Sequence, residues 1–146
     1  MIIQSRNKSL AFMIDNYQYE TKGSESSSFD YDANWLIAKI TYTDENGVRK
    51  EYRDPCIMTD ELTELADGIS KVVFGRENQY VSDFIEPYLK FTITKSDDNI
   101  LFGIEYAYET TRSAWKSWEL SEIITHERAR QILEEIKAMS ARFPIR

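Results

Sequence analysis

The chain has 146 residues, 42% of them apolar and 29% charged, so it can bury one hydrophobic core without staples and lacks the composition of a disordered segment. One cysteine, Cys56, and one histidine, His126, exclude an internal disulfide, a closed Cys/His zinc site and a multi-histidine metal centre. The net charge of −7 argues against direct nucleic-acid binding, which needs a basic footprint, and no run approaches the ~20 apolar residues of a membrane span.

In chain order, residues 9–19 place Leu10, Phe12 and Ile14 on one face, then change phase at Asp15-Asn16 before Tyr17 and Tyr19. This predicts a long strand with a bulge, because one extra residue flips the inward face. Residues 22–28 (KGSESSS) read as a polar loop. Residues 35–43 alternate again and predict a strand. Asp44-Glu45-Asn46-Gly47 then holds the Asn-Gly pair, which tolerates positive φ and marks a hairpin. Residues 48–53 supply the returning strand, which Asp54-Pro55 is expected to stop.

A helix is predicted next, with Thr59 as N-cap and Asp60-Glu61 in the first turn, where the positive end of the helix dipole favours acids. Leu62, Leu65, Ala66, Ile69, Val72 and Val73 recur at helical spacing, and Gly75 marks the C-cap region. Extended segments are expected at 80–85 and 88–95, with Pro87 between them at an edge or bulge. A turn at 96–99, a strand at 100–109, a link at 110–113 and a strand at 115–124 follow. Thr125 should cap a second helix whose inner stripe is Ala129, Ile132, Leu133, Ile136 and Met139, ended by Pro144. The order predicts an α+β fold: mainly antiparallel sheet of about seven strands, with one amphipathic helix mid-chain and one at the C-terminal end, in a single domain over residues 1–146. No sequence repeat is visible.

Little in the chain points to catalysis. His126 falls at the start of the last helix and reads as an exposed polar residue; Cys56, between a strand and a helix, reads as a small buried hydrophobe. There is no phosphate-cradling glycine loop and no Gly-x-Ser-x-Gly elbow. Asp30 and Asp32, with Asp54, Asp60 and Glu61, could meet as a Mg²⁺ or Ca²⁺ site, so a small-ligand or metal-assisted enzyme domain is the alternative reading. Nothing in their spacing demands a metal, and no cofactor is expected. Trp115 and Trp118, three apart on one predicted strand, should point to opposite faces, one of them outward, where an aromatic can anchor an interface.

The charge is unevenly spread. Residues 20–67 carry twelve acids against five bases and so hold the whole net charge of −7. Such a surface steers basic partners towards itself. The absence of an apolar run behind a basic start, and of disulfide chemistry, leads to the expectation of a soluble protein in a reducing cytoplasm.

Three segments together resemble one family: Asp30-Tyr31-Asp32-Ala33-Asn34-Trp35-Leu36; then Asp54-Pro55-Cys56-Ile57 with Glu61-Leu62; then Phe84-Ile85-Glu86-Pro87-Tyr88-Leu89-Lys90-Phe91. The set is similar to the WapI family of bacterial immunity proteins, from about the second strand to Met139. The resemblance implies an antitoxin that occludes the C-terminal domain, often a nuclease, of a WapA-type contact-dependent toxin. It brings no catalytic residues. A basic toxin domain would be the partner, without nucleic acid or membrane, and the candidate contacts are Asp30, Asp32, Asp44, Glu45, Asp60, Glu61, Glu64 and Asp67.

Overall fold

The computed structural model describes residues 1–19, 32–111 and 114–146. The predicted loop at 22–28 and part of the 110–113 link lie outside them. Eight antiparallel strands form two sheets. The first has the order β1 (Ile2–Ser5), β2 (Lys8–Tyr17), β3 (Trp35–Thr43), β4 (Arg49–Met58); the second has β5 (Gln79–Val81), β6 (Leu89–Ser96), β7 (Asn99–Thr110), β8 (Trp115–Thr125). Helix α1 (Thr59–Val73) follows the first sheet and α2 (His126–Arg142) the second. The chain therefore lays down one plan twice, a four-stranded meander and then a helix, with no sequence repeat to announce it.

The α+β class and both helices are as the periodicity predicts. So is the bulge in β2: Ile14 pairs with Ala38, Asn16 pairs with Ile37, and Asp15 is the extra residue. The strand beyond the predicted seven is β1, four residues hairpinned onto β2 through Arg6, whose φ is +47°. It is too short to show a period.

Three local expectations are corrected. Pro55 does not stop β4, which runs on to Met58. β4 is an edge strand, and Pro55-Cys56 face the single residue Ile37 across a bulge, so the missing N–H costs no ladder bond. Thr59 is the first helical residue of α1 rather than its cap; Met58 holds that place, and the Glu61 carboxylate accepts the Met58 N–H at 2.8 Å. The segment at 80–85 is strand only to Val81. Ser82 still pairs with Phe91, after which Phe84 turns into the core and the chain leaves the sheet.

Other signals hold. Gly75 takes φ +70°; its N–H reaches the Val72 carbonyl and that of Arg76 reaches Lys71, the paired bonds that close a helix on a left-handed glycine. Thr125 caps α2 by accepting the Arg128 N–H. At the β3–β4 hairpin Gly47 alone, not Asn46, takes positive φ.

One apolar cluster draws on both sheets and both helices. Phe12 of β2 meets Phe91 of β6 edge-on, centroids 5.4 Å apart, and Phe91 in turn meets Phe84 and Phe102. Each such ring contributes roughly 1.5–3 kcal/mol by leaving water. The α1 stripe from Leu62 to Val73 is fully inside, as are Ala129, Ile132, Leu133 and Ile136 of α2; Met139 is partly covered.

Candidate partner-binding surface

The acidic third of the sequence does not form one acidic surface. Asp30 lies outside the described residues. Asp44 and Glu45 sit at the tip of the β3–β4 hairpin. Asp32 lies in the single 3₁₀ turn (Asp32–Asn34) at the other end of β3, nine residues away, and α1 starts at that same end. Nine strand residues span roughly 25–30 Å. Both tip acids are also engaged. Asp44 accepts the N–H groups of Asn46 and Val48 within its own turn, and Glu45 pairs with Lys8 at 3.1 Å.

Between the ends, the outer face of the first sheet is a mixed ion network. Glu51 lies within 3.0–3.6 Å of Lys39, Arg49 and Arg53, and Arg53 also pairs with Asp15. Those cations hold the Glu51 carboxyl below its usual range, the Lys39 hydrogen bond first. Three bases outnumber two acids here, so this stretch offers no net negative charge.

What remains is the solvent side of α1. Helical spacing puts Asp60, Glu64 and Asp67 along one side of the helix, with Glu64 and Asp67 exposed and Asp60 half-buried. Glu61 does not join them. It is 5% exposed, one carboxylate oxygen on the Met58 N–H and the other accepting the N–H of Ile85 at 2.6 Å. Burial pushes its carboxyl up, and the two N–H donors pull it back in part. Periodicity held this signal: Glu61 precedes Leu65 by four, on the apolar stripe.

The Ile85 contact brings in residues that the charge tally missed. It ties the loop after β5 to the start of α1, and that loop carries Asp83 and Glu86, with Ile85 between them in sequence 61% exposed. Glu86 is close enough to raise the buried Cys56 thiol, behind burial itself and Asp54 and alongside Glu61. Tyr80 packs its ring on Gly68 of α1, and burial followed by Glu64 pushes its hydroxyl up to about 12. Among the described residues, no ion pair or side-chain hydrogen bond reaches the carboxylates of Asp60, Glu64, Asp67, Asp83 or Glu86. Two lysines border the face: Lys90 lines a groove of about 430 Å³ with Asp83, and Lys137, already paired with Glu134, lines one with Asp67.

The three segments noted in the sequence converge behind this face. Asn34, fully buried, accepts the Thr59 hydroxyl at 3.0 Å and the Arg146 N–H at 2.9 Å, and donates to the Arg146 carbonyl. Asp54 accepts the Tyr106 hydroxyl at 3.1 Å. Glu61 ties α1 to Ile85. Asn34, through Thr59, and Glu61, through Met58 and Ile85, hold the start of α1, while Asp54 ties β4 to β7.

No described feature resembles a catalytic centre in geometry. The Cys56 thiol is buried and driven towards its neutral form. Among the described residues, no three His, Cys, Asp or Glu side chains are placed to hold a metal. No described helix is long and apolar enough to cross a membrane. Trp118 is 8% exposed, stacked between Tyr42 and Tyr108, while Trp115 is 56% exposed beside Tyr88, so the two tryptophans do face opposite ways.

The family model described as the immunity protein WapI-like family matches residues 1–144. A search of curated proteins returned no match. Among solved structures, that of the plant transcriptional regulator PBF-2 is similar, with a TM-score of 0.51 over 98% of this chain and 80% of that one. At 8% identity the likeness is one of fold.

Proposed function

This chain belongs to the WapI-like immunity protein family, and we propose that it neutralises a basic toxin domain, in the cytoplasm of the cell it protects, by covering it with the face that Asp60, Glu64, Asp67, Asp83 and Glu86 form around Ile85. What supports the reading is the lack of internal compensation: five carboxylates on α1 and on the loop tied to its first turn have no partner among the described residues, and Ile85 in that loop is exposed. Exposed charge of one sign speeds encounter with a partner of the other, and a central apolar side chain supplies the desolvated anchor. A nuclease domain, whose surface must hold a phosphate backbone, has the matching charge.

The binding is stoichiometric occlusion and consumes no substrate. Asp44 and Glu45, at the far hairpin tip, stand outside the contact, and Glu61 acts from beneath it. Asp32 lies near the α1 start and stays a candidate at the rim.

Co-expression with the toxin domain that this chain protects against should rescue growth, and the purified pair should bind one to one. A cation about 6 Å from a carboxylate gains roughly 0.3 kcal/mol at physiological salt after screening. Reversing Glu64 and Asp67 to lysine should therefore slow association about tenfold, and in 1 M salt the difference should shrink to about twofold. Asp44→Lys with Glu45→Lys should leave the rate unchanged. Equal effects from the two pairs would remove the α1 face from the mechanism.

A further inference from the structure

We infer that Glu61 is a positioning residue for this face: its one buried carboxylate fastens the Ile85 loop of the second β-unit to the first turn of α1, and the face is assembled only while both N–H groups are held. The inference rests on reading the face as the docking surface, but its geometric half can fail separately.

The geometry is specific. Oε2 accepts Met58 N–H at 2.8 Å and Oε1 accepts Ile85 N–H at 2.6 Å, so each oxygen serves a segment from a different half of the chain. Between Ser82 and the return into β6 at Leu89, the backbone N–H of Ile85 makes this bond to α1 and none to the sheet. Without it the exposed Ile85 side chain and the flanking Asp83 and Glu86 lose their tie to α1. A charged acceptor is suited to the task, since bonds to a carboxylate are about twice as strong as neutral ones.

The surroundings are one-sided. Glu61 is faced by Asp60 and Glu64 on its own helix, Cys56 on β4 and Tyr80 on β5, and Cys56 in turn is neighboured by Asp54 and Glu86. No ion pair among the described residues reaches it. Its charge is thus held by the two N–H donors and the start of the helix rather than by a cation.

Amide hydrogen exchange on the full chain tests this without a partner. Glu61→Ala, a good helix former at this position, should speed exchange at Ile85 and Met58 at least tenfold while amides in the middle of α2 stay protected. Glu61→Gln, in which an amide nitrogen that cannot accept replaces one of the two carboxylate oxygens, should release one of the two. Affinity for the toxin domain that the chain neutralises in co-expression should fall with loop protection. Unchanged exchange at Ile85 in Glu61→Ala would overturn the clasp, and faster exchange with unchanged affinity would overturn its positioning role. In the unmodified chain the Met58 and Ile85 amide resonances should titrate together with the Glu61 carboxyl; independent titration would also overturn it. A wild-type chain that fails to bind the toxin domain would defeat the docking reading and leave the exchange results standing.

Discussion

Gly68→Ala gives a test in which two opposing effects differ in sign. In an ordinary helix interior, alanine for glycine stabilises by about 1 kcal/mol. Gly68 lies inside α1, and a Cβ there would meet Tyr80 Cδ2 and Cε2 at 2.3 Å and Cγ at 2.5 Å. Carbon atoms rest at roughly 3.5–4.0 Å, so the ring must retreat by more than about 1 Å. Because Cγ is the root of the ring, a tip rotation cannot relieve the clash. Either Tyr80 leaves its rotamer or β5 shifts away from α1. Overpacking of this kind costs about 1–3 kcal/mol, so the helix gain is outweighed and a net loss of about 1 kcal/mol is expected. Urea denaturation should show a lower midpoint at unchanged slope. In a Tyr80→Ala background the same substitution should stabilise, with a coupling of about 1–3 kcal/mol between the two sites. A Gly68→Ala chain that gains about 1 kcal/mol whatever stands at position 80 would show that α1 and β5 do not meet as described. The proposed docking face would then lose its second half, since the Ile85 loop follows β5.

Asn34→Ala removes an acceptor shared by Thr59 and Arg146 and a donor to the Arg146 carbonyl, in a fully buried position; a loss of about 2–3 kcal/mol in denaturant titration is expected, and a change below 0.5 kcal/mol would refute the role given to it. The Cys56 thiol, buried and raised in pKa, should resist a thiol reagent in the native chain at neutral pH and react fully in urea; rapid native labelling would contradict its placement. The Glu61 pKa is raised by burial, so the folded chain holds that proton more tightly than the unfolded one. Its contribution to stability is therefore full below the ordinary glutamate range and is lost as pH rises through the raised value. Wild-type stability relative to Glu61→Gln should fall accordingly as pH rises out of the ordinary glutamate range; a flat or rising difference would refute the sign.

Much of the fold was legible in order because its signals are local. Alternation along residues 9–19 and 35–43, the slip at Asp15-Asn16, the apolar stripes of both helices, Gly75 and Thr125 each depend on a few neighbouring residues. The exceptions are places where a distant element supplies what the local rule lacks. Pro55 survives inside a strand because β4 has a free edge and a bulge opposite Ile37. Met58 serves as a cap because Glu61 reaches back to it.

The sequence by itself determined that the chain is acidic, where that charge lies along it, the order of both helices and of seven of the strands, and which family it resembles, since composition and periodicity need no third dimension. Only the tertiary structure decided where in space each acid lies. It sent Asp44 and Glu45 to one end of a sheet and surrounded Glu51 with cations. It buried Glu61, and it brought Asp83, Ile85 and Glu86 from the other half of the chain to the side of α1. Charge along a chain is additive, whereas a surface potential depends on distance, and that distance is set here by two hydrogen bonds to one carboxylate and a tyrosine ring seated on a glycine.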